Sequence, residues 1–392
     1  MSLNFSTRIK DEADDLRNLM KLSENKDIIS FAGGFPAPEL FPSELLKDIT
    51  NKVLESYPNV SLQYGASEGY TKLRELIAKQ RMINVNVNCS FENIIITNGS
   101  QQGLDFAGKL FINKGDKIIV EKPTYLGALT AFKAYEPEFL EVDMDKDGMN
   151  MDCLESLLLK NKDIKFIYTI PDFQNPSGIT MSIEKRQTLC QLAKKYNVPV
   201  IEDNPYNELI FKGTPLPSIK SFDKDGYIIY LGTFSKTFCP GLRIGWMCAE
   251  EHIIDKLLIC KQGSDLQSST FNQVIAYEFL STYNLDDHIV NIRKVYSDRK
   301  NSMIKNIQKY FPNTVEYTDP LGGLFTFITL PKEITSNAFL NKSLNKGVAF
   351  VPGDSSFALG KDHNHIRLNY SYMTKEKSEE GIKILGSLLK TF

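Results

Sequence analysis

The sequence of 392 residues lacks the features that mark several other classes of protein. No stretch reaches the roughly 18 apolar residues of a membrane span, and the polar, acidic beginning MSLNFSTRIKDEADDLRN has no signal-peptide core. A surplus of one charge is also missing, since 46 Lys and Arg residues stand against 48 Asp and Glu residues. We therefore expect neither a membrane anchor nor a nucleic-acid partner, and we interpret the pair Lys194–Lys195 as a solvated helix face.

Clustered cysteines and histidines are missing as well. The six cysteines form no CxxC pair and lie apart from the four histidines, so neither a disulfide framework nor a zinc site is indicated. His363 and His365 form an HxH pair, but no HExxH motif accompanies it and no acidic or cysteine partner stands at ligand spacing. A loop or strand surface is therefore favoured over a metal site. Scattered cysteines fit a reducing environment, and we expect a cytoplasmic protein.

The middle of the chain has the pattern of an α/β fold. No repeat, low-complexity tract or Pro/Ser-rich linker interrupts it, and its length predicts more than one domain. Short apolar segments alternate with helical patterns, which predicts a mostly parallel sheet covered on both faces. The predicted strands are Asn93–Thr97, Lys117–Val120, Lys165–Thr169, Val198–Glu202, Tyr227–Tyr230 and Gly245–Ala249, and the helices between them include Gln101–Ile112 and Ser182–Tyr196.

The pattern changes after about Asn284. A long amphipathic helix over His288–Tyr310, a Gly-Gly strand over Gly322–Leu330 and a last helix from Thr374 predict a smaller α+β domain. We therefore predict an N-terminal segment over residues 1–40, a large domain over 41–284 and a small C-terminal domain over 285–392. In an open parallel sheet, ligands bind beyond the carboxyl ends of the strands, which is where the polar motifs of this sequence fall.

One of these motifs contains a lysine with polar neighbours. The strand YIIYLG runs into the loop GTFSKTFCPGLRIGW, which places Ser235, Lys236 and Arg243 just past a strand end. A lysine amine that is buried near positive groups has a lowered pKa and can attack a carbonyl carbon to form an imine. One lysine alone is weak support, because most lysines are solvated surface residues.

Three other strand ends carry polar groups. The strand VPVIEDNPY delivers Asp203, with Tyr206 three residues later. An acidic side chain there is costly to bury without a partner, and a protonated pyridine nitrogen is one such partner, although helix capping is an alternative. The strand KFIYTI ends in PDFQNPSG, where Asn175 precedes a proline in a turn that any loop can use.

The strand NIIIT leads through NGSQQG into a helix. The free backbone N–H groups at a helix start favour an anion, so Ser100 and Gln101 lie where a phosphate would dock, although a simple capped helix has the same pattern. Neither GxxxxGKS/T nor GxGxxG occurs at this place, so the nucleotide-binding motifs do not compete with this interpretation.

These stretches together resemble the fold-type I aminotransferases of class I/II, which use pyridoxal 5'-phosphate (PLP), and among them the 2-aminoadipate, kynurenine and broad aromatic or branched-chain aminotransferases. The likeness extends over nearly the whole chain. It rests on SFAGGFPAPELFP, LQYGASEGY, TNGSQQGLD, EKPTYLGA, PDFQNPSG, EDNPY, GTFSKTFCPGLRIGW, GGLFTF, GVAFVPG and HIRLNYSY, in the family's order. The resemblance implies amino-group transfer between an L-amino acid and a 2-oxo acid such as 2-oxoglutarate, in a homodimer with shared active sites.

The resemblance also implies a role for each matching cofactor residue. Lys236 would hold PLP as a Schiff base and shuttle a proton between the substrate Cα and the cofactor C4′. Asp203 would pair with the pyridine nitrogen, Tyr206 and Asn175 would hydrogen-bond the phenolic oxygen, and Tyr125 would stack on the ring. The phosphate would be held by Ser100, Gln101, Ser235, Arg243 and, from a second subunit, Tyr64.

Substrate residues are implied in the same way. Arg367 would clamp the α-carboxylate with its planar guanidinium, beside Asn175 and Gly34, with a buried structural arginine as the alternative. The N-terminal segment resembles the region that closes over the substrate, and it places Arg17 where a distal carboxylate could be met. Arg17 lies in an amphipathic pattern, so a solvated helix face is the alternative. The chain departs from the family in the tighter ITMS after PDFQNPSG and in Thr233, which replaces the frequent serine but keeps the hydroxyl.

Two alternatives to transamination remain open from the sequence. A carbon–sulfur β-lyase of the same fold would use the same cofactor for β-elimination. An aminotransferase-like sensor domain of a transcription regulator would bind PLP without turnover, but the 32 residues before Gly33 leave no room for the winged helix-turn-helix of such regulators. For the substrate side chain, Phe31, Phe35 and Tyr70 are aromatic candidates that core packing would also explain.

Overall fold

A computed structural model describes residues 5–6, 8, 27–360 and 362–392 of the chain. After a short first strand, β1 (Ile29–Ser30), eight strands build one large sheet. They are β2 (Ile94–Thr97), β3 (Lys117–Lys122), β4 (Glu138–Asp145), β5 (Gly148–Met149), β6 (Ile164–Thr169), β7 (Val200–Asp203), β8 (Ile228–Thr233) and β9 (Gly245–Cys248). Their order across the sheet is β2-β9-β8-β7-β6-β3-β4-β5.

The strand directions bring one end of five strands together. Strands β4, β3, β6, β7 and β8 are parallel, while β9 is antiparallel to both of its neighbours, β8 and β2. Strand β2 therefore runs in the same direction as β8. The carboxyl ends of β2, β3, β6, β7 and β8 share one edge, where ligands bind in such sheets. The predicted α/β class with a mostly parallel sheet is confirmed.

Helices connect the strands and cover the sheet. The first seven are α1 (Ser43–Ser56), α2 (Pro58–Ser61), α3 (Thr71–Leu76), α4 (Ser100–Phe111), α5 (Leu126–Lys133), α6 (Met151–Lys160) and α7 (Ile183–Tyr196). They are followed by α8 (Glu251–Gln262), α9 (Thr270–Thr282), α10 (Leu285–Tyr310), α11 (Ser336–Leu344) and α12 (Lys375–Leu389). Local chemistry sets their ends: α7 begins after Ser182, whose Oγ accepts from the Lys185 N–H, and stops at Asn197, which adopts the left-handed conformation.

The C-terminal part of the chain forms a second, smaller sheet. Its strands are β10 (Glu316–Tyr317), β11 (Phe325–Thr329), β13 (Val351–Pro352) and β14 (His365–Asn369), in the antiparallel order β10-β11-β14-β13, and β12 (Val348–Ala349) pairs with β1 instead. The predicted apolar face of α12 is buried in this core. Ile29 and Phe31 pack there as well, so the segment around β1 joins the C-terminal core. Division of the chain at residues 40 and 284 stays a prediction.

Several boundaries differ from the sequence prediction for local reasons. Strand β4 was not predicted, because only Val142 of its eight residues is fully buried and acidic residues interrupt its apolar pattern. Helix α10 begins three residues before the predicted His288, since the Asn284 side chain caps its first turn. Strand β11 begins only at Phe325, because Gly323 has a φ of 79° that a strand residue does not adopt.

Within the described ranges, no helix combines the length and the apolar character that a membrane span requires. The same residues contain no group of three or more His, Cys, Asp or Glu side chains that could hold a metal ion. His363 hydrogen-bonds Asp354 through Nδ1 at 2.9 Å, and the His365 ring stacks on Phe327. The two histidines of the HxH pair therefore contact different residues. All six cysteines are free thiols.

Candidate active site

A cavity of about 380 Å³ opens at the shared carboxyl edge of the large sheet. Its size lies in the range of pockets that take small ligands. The loops after β2, β3, β6, β7 and β8 form one side, and β11, β13 and β14 of the smaller sheet form the other. Eleven residues predicted from the sequence line it: Gly34, Ser100, Gln101, Tyr125, Asn175, Asp203, Tyr206, Ser235, Lys236, Arg243 and Arg367.

Two predicted residues are not among those that line the cavity. Tyr64 lies at the surface with 80% of its side chain exposed, beside a separate hollow that Val60 and Thr270 also line. The role of Tyr64 in the site of a second subunit stays a prediction. Arg17 lies outside the described residues. Of the three aromatic candidates, Phe35 lines the cavity, whereas Phe31 is fully buried in the C-terminal core and Tyr70 packs on Tyr277.

Lys236 lies three residues beyond the end of β8, and its amine reaches into the cavity. Its Nζ donates a hydrogen bond to the backbone oxygen of Gly34 at 2.9 Å. Burial and the positive charges of Arg243 and Arg367 lower the pKa of Lys236 to about 8, although Asp203 opposes the shift. A lowered pKa provides more of the neutral amine, which is the form that attacks a carbonyl carbon.

Asp203 is the last residue of β7 and is almost fully buried. Its Oδ2 accepts a hydrogen bond from the Tyr168 hydroxyl at 2.9 Å, while its Oδ1 has no partner within the described part of the chain. Burial raises the pKa of Asp203 to about 7, and the Tyr168 hydrogen bond and the Lys236 charge act in the opposite direction. A buried carboxylate oxygen without a partner is costly, so this atom fits a cationic or N–H-bearing group of a ligand.

Arg367 is held on β14 with part of its guanidinium still free. Nη1 donates to Oδ1 of Asn175 at 2.8 Å, and Nη2 donates to the backbone oxygen of Ala32 at 2.7 Å. The guanidinium carbon lies 4.2 Å from the ring centre of Phe325, and the buried Nε finds no partner among the described residues. Burial lowers the pKa of Arg367 to about 10, which still leaves it cationic near neutral pH. A charged, planar guanidinium whose Nε has no partner among the described residues suits a carboxylate.

Tyr206 lies beside Arg367 and Asn175. Its ring meets the Phe325 ring edge-on, with 6.1 Å between centres. Burial raises the pKa of Tyr206, whereas Arg367 and a hydrogen bond with Asn175 lower it. The phenol therefore stays protonated near neutral pH and can donate a hydrogen bond to an oxygen of a ligand. The alternative of an ordinary Asn-Pro turn does not explain why Asn175 is buried between these two side chains.

The other end of the cavity gathers groups that bind anions. Helix α4 begins at Ser100 after Gly99, which has a φ of 72° and a ψ of 168°, a conformation that glycine alone adopts readily. A Cβ at Gly99 would lie 2.5 Å from Nη2 of Arg243, so the arginine packs directly on this turn. Arg243 Nη2 donates to the Asn98 oxygen at 3.1 Å. The hydroxyls of Thr233, the last residue of β8, and of Ser235, just beyond it, lie 2.9 Å apart.

Tyr125 and Gln101 also line the cavity and contact each other. The Tyr125 hydroxyl donates to Oε1 of Gln101 at 3.4 Å, and Nε2 of Gln101 donates to the backbone oxygen of Gly127 at 2.7 Å. Gln101 is thus bonded to protein groups on both of its amide atoms. Its predicted phosphate contact remains a proposal, since the side chain is already used to hold the start of α5.

Sequence reasoning missed several residues of this site. Leu126, Ile170, Phe325 and Val351 line the cavity, and Tyr168 lies behind it. Leu126 and Phe325 stand inside motifs that the resemblance already included, PTYLGA and GGLFTF, but an apolar residue in a motif does not show whether it faces a ligand or a core. Tyr168 is a buried residue of β6, and the pattern KFIYTI does not show that its hydroxyl contacts a residue of the site.

The residues present fit PLP in its chemical parts. A neutral lysine amine suits the aldehyde. Oδ1 of Asp203, which has no partner in the described ranges, suits a protonated pyridine nitrogen, and the α4 start with Arg243 and two hydroxyls suits a phosphate. Arg367 remains for a carboxylate of the substrate. The three kinds of group occupy one cavity at the edge where the fold directs ligands.

Comparisons with known proteins agree with this chemistry. The family model for aminotransferase class I and II matches residues 40–385. Aromatic-amino-acid aminotransferase 1 of Thermococcus litoralis is 47% identical over 97% of this chain and 92% of that protein. The 2-aminoadipate transaminase of Thermus thermophilus is 37% identical over 97% of this chain and 94% of its own length. The Pyrococcus horikoshii kynurenine aminotransferase, solved in complex with PMP, is 42% identical in sequence and superposes with a TM-score of 0.94. The match covers 99% of this chain and 97% of that chain.

Fold, cavity and relatives together define a transferase of PLP fold type I. The chain belongs to the class I and II aminotransferases. It is a PLP-dependent aminotransferase that moves amino groups between amino acids and 2-oxo acids, which confirms the prediction from the motifs. The relatives favour this activity over the carbon–sulfur lyase and over the sensor domain.

Proposed function

We propose that the cavity binds PLP and carries out both halves of transamination with the residues assigned above. When bound, PLP supplies an aldehyde that accepts the amino group and a ring that withdraws electrons from the reacting carbon. The observation that carries this proposal is a pair of buried atoms that lack a partner among the described residues, Oδ1 of Asp203 and Nε of Arg367, on side chains that line one cavity with Lys236. Asp203 holds the proton on the pyridine nitrogen, and Arg367 binds the α-carboxylate.

Lys236 moves the proton. With a pKa of about 8, its amine is near the acidity that proton transfer at neutral pH requires. With PLP bound, Nζ of Lys236 would hold the cofactor aldehyde and, when released, would be the base that moves the proton of the substrate Cα. The Gly34 oxygen accepts a hydrogen bond from Nζ and so directs the amine. The neighbouring cations Arg243 and Arg367 keep the pKa of the amine low, and they thereby maintain its basic form.

Two further groups orient the reacting parts. The Tyr206 phenol would donate a hydrogen bond to the phenolic oxygen of the ring. Asn175 bonds the guanidinium of Arg367 and lies beside Tyr206, and it would contact the same oxygen. Asn175 therefore couples the position of the cofactor to that of the substrate carboxylate. Tyr125 lines the cavity and would cover the ring face, and the start of α4 with Thr233, Ser235 and Arg243 would hold the phosphate.

For the substrate side chain we infer an aromatic or large apolar group. Leu126, Ile170, Phe35 and Val351 line the cavity and offer apolar surface. Its lining cations among the described residues are Lys236, Arg243 and Arg367, and each of these already has a role. The relatives include aromatic-amino-acid, kynurenine and 2-aminoadipate aminotransferases, and their names support a substrate with a large side chain. Acceptance of 2-aminoadipate then depends on Arg17.

The assembly and the location are part of the same proposal. The surface near Tyr64 is apolar for an exposed region, with 68% of Leu62 and 43% of Val60 accessible. Such a patch favours a contact with another protein surface, and a homodimer in which Tyr64 completes the phosphate site of the partner uses it. The free cysteines support a cytoplasmic location.

The activity is tested with the Lys236→Ala variant and a panel of donors. Purified enzyme loaded with PLP is mixed with phenylalanine, leucine, kynurenine, glutamate or 2-aminoadipate, and conversion of the cofactor to its amine form is followed by absorbance. We expect conversion with aromatic donors in the wild type and a loss of at least about a thousandfold in Lys236→Ala. The exposed Lys294→Ala on α10 is the matched control. Absence of conversion with every donor would disprove the assignment.

Arg17→Ala, tested with the same panel, separates the substrate classes. We expect selective loss of glutamate and 2-aminoadipate, because their distal carboxylate would lose its cation, while phenylalanine and leucine keep their rates. Equal rates for all donors would reject the distal-carboxylate role of Arg17. That outcome would leave the aromatic assignment and the PLP site unaffected.

A further inference from the structure

A buried tyrosine lies directly behind the carboxylate at the base of the cavity. Tyr168 is on β6, next to β7, and its hydroxyl donates to Oδ2 of Asp203 at 2.9 Å. The side chains of Tyr168 and Asp203 are both buried, with exposed fractions of 0% and 2%. A hydrogen bond between a neutral donor and a buried carboxylate is stronger than one between two neutral groups. This bond therefore restricts how the carboxylate can rotate.

Only one of the two carboxylate oxygens of Asp203 accepts the hydrogen bond from Tyr168. Oδ2 is held by Tyr168, whereas the equally buried Oδ1 has no partner within the described part of the chain. Asp203 lines the cavity, so the oxygen that remains is the one available to a ligand. A half turn of the carboxylate would only exchange its two oxygens, whereas a rotation near a quarter turn would move both oxygens away from the Tyr168 hydroxyl. The hydroxyl thus defines the plane of the carboxylate.

Aromatic packing holds the tyrosine itself. The Phe132 ring on α5 meets the Tyr168 ring edge-on with 5.5 Å between centres, and Phe132 meets Phe166 in the same way at 5.1 Å. Edge-to-face contacts of this kind restrict the ring orientation. The Tyr168 hydroxyl is therefore placed by the core of the large sheet and its helices.

We propose that Tyr168 is a positioning residue that fixes the plane of the Asp203 carboxylate, leaves Oδ1 free for the ring nitrogen of the cofactor, and favours the ionised form of that carboxylate. The inference rests on the proposed function, specifically on Asp203 as the partner of the pyridine nitrogen. Tyr168 itself contacts neither the substrate nor the reacting atoms, and it acts through Asp203.

The charged and titratable groups around Asp203 define what the hydroxyl must oppose. Burial raises the pKa of Asp203, and the Tyr168 hydrogen bond and the Lys236 charge lower it. The buried Glu121 on β3 interacts with Asp203 as a like charge, and the Tyr125 and Tyr206 phenols also face it. Burial and Asp203 raise the pKa of Tyr168 well above its usual value, so its hydroxyl remains a donor throughout the working range of pH.

The test measures binding of pyridoxamine 5'-phosphate to the cofactor-free enzyme by calorimetry, at several values between about pH 6 and about pH 9. This ligand carries the ring nitrogen and the phosphate but cannot bond Lys236 covalently. We expect Tyr168→Phe to weaken binding about tenfold near neutral pH. The pH below which binding declines should move up by about one unit, because Asp203 then stays protonated to a higher pH.

Two other variants serve as controls. Tyr135→Phe removes a similar bond, from the Tyr135 hydroxyl to Oδ1 of Asp105 at 2.8 Å, from a residue that is not among the cavity lining, and it should bind as the wild type does. Tyr168→His keeps a ring donor and should restore affinity to within about threefold of the wild type. If Tyr168→Phe does not fold, Tyr168→His still tests the inference, because its affinity and pH profile can be compared with those of the wild type.

Asp203→Asn separates the two levels of the proposal. If it binds pyridoxamine 5'-phosphate as tightly as the wild type, the assignment of Asp203 to the ring nitrogen is wrong. If it weakens binding while Tyr168→Phe leaves both affinity and pH profile unchanged, only the role of Tyr168 is overturned. The expected result is that Asp203→Asn weakens binding and that adding Tyr168→Phe to it has little further effect, since the two residues act in series.

Discussion

Arg367 and Asn175 are joined across the cavity by a hydrogen bond of 2.8 Å from Nη1 to Oδ1. Arg367 is on a strand of the smaller sheet, and Asn175 is in a loop of the larger one, so this bond connects the two parts of the molecule at the site. Both terminal nitrogens of Arg367 have protein partners, yet Nε has none among the described residues. The arginine is thus held in place and remains open to an anion.

Arg367→Lys should therefore weaken binding of every amino and oxo acid. Lysine keeps the charge but cannot bond Asn175, Ala32 and a carboxylate together in one plane, and each charged hydrogen bond contributes about 1.5 to 3 kcal/mol. We expect KM to rise by about 30-fold to 100-fold for phenylalanine and for 2-oxoglutarate alike. Steady-state kinetics with both substrates measures this. An increase for one substrate alone would contradict a shared carboxylate site.

A glycine pair tests the phosphate end of the cavity. Gly99→Ala places a Cβ 2.5 Å from Arg243 Nη2 at a φ of 72°, so strain of about 1 to 3 kcal/mol is joined by displacement of the arginine. Gly115→Ala is the control, because Gly115 also has a positive φ, 83°, but a Cβ there meets nothing within 4 Å. Both variants should lose stability, and only Gly99→Ala should bind PLP more weakly, by about tenfold. Equal PLP affinities would argue against a phosphate at this turn.

The lowered pKa of Lys236 predicts how cofactor attachment depends on pH. The amine must be neutral to attack the aldehyde, and in the empty enzyme its pKa is about 8. The rate should therefore rise about tenfold per unit below about pH 8 and level off above it. Stopped-flow absorbance with pyridoxal measures this without using the phosphate site. Arg243→Gln should move the plateau to higher pH, because Arg243 lowers the lysine pKa. A rate that rises steadily to pH 10 would show an unshifted amine.

Asp203 should make the cofactor-free enzyme less stable as the pH rises. Its folded pKa of about 7 lies above its usual value of 3.8, so the folded chain holds a proton that the unfolded chain releases between these values. Stability from this group is present at low pH and is lost as the pH approaches 7. Asp203→Asn removes the effect, and we expect a gain on the order of a few kcal/mol at pH 8, shrinking toward pH 5. Urea unfolding at both values checks it; a constant difference would contradict a raised pKa.

The C-terminal part of the fold shows which elements can be predicted from the periodicity of apolar residues along the sequence. The long helix and the terminal helix were predicted from their apolar periodicity, and Ile382, Leu385 and Leu389 are buried in α12 as expected. The pairing of β1 with β12 was not predicted, since two residues carry no periodicity and their partners are more than 300 positions away. Strand β4 was missed for a related reason, because half-buried strands with charged residues lack a clear alternation.

The sequence by itself determined the class of chemistry. Polar residues that follow apolar strands lie at one edge of a parallel sheet, and the family resemblance added further candidates. Eleven of the thirteen residues predicted in these two ways line one cavity. Only the tertiary structure decided which bonds these residues make. Tyr168 bonds one oxygen of Asp203, the other oxygen has no partner in the part of the chain that the structure describes, and Phe325 packs on Arg367. Such facts depend on the side-chain directions of distant strands. A motif records which residues are neighbours along the chain, whereas hydrogen bonds, burial and pKa depend on neighbours in space.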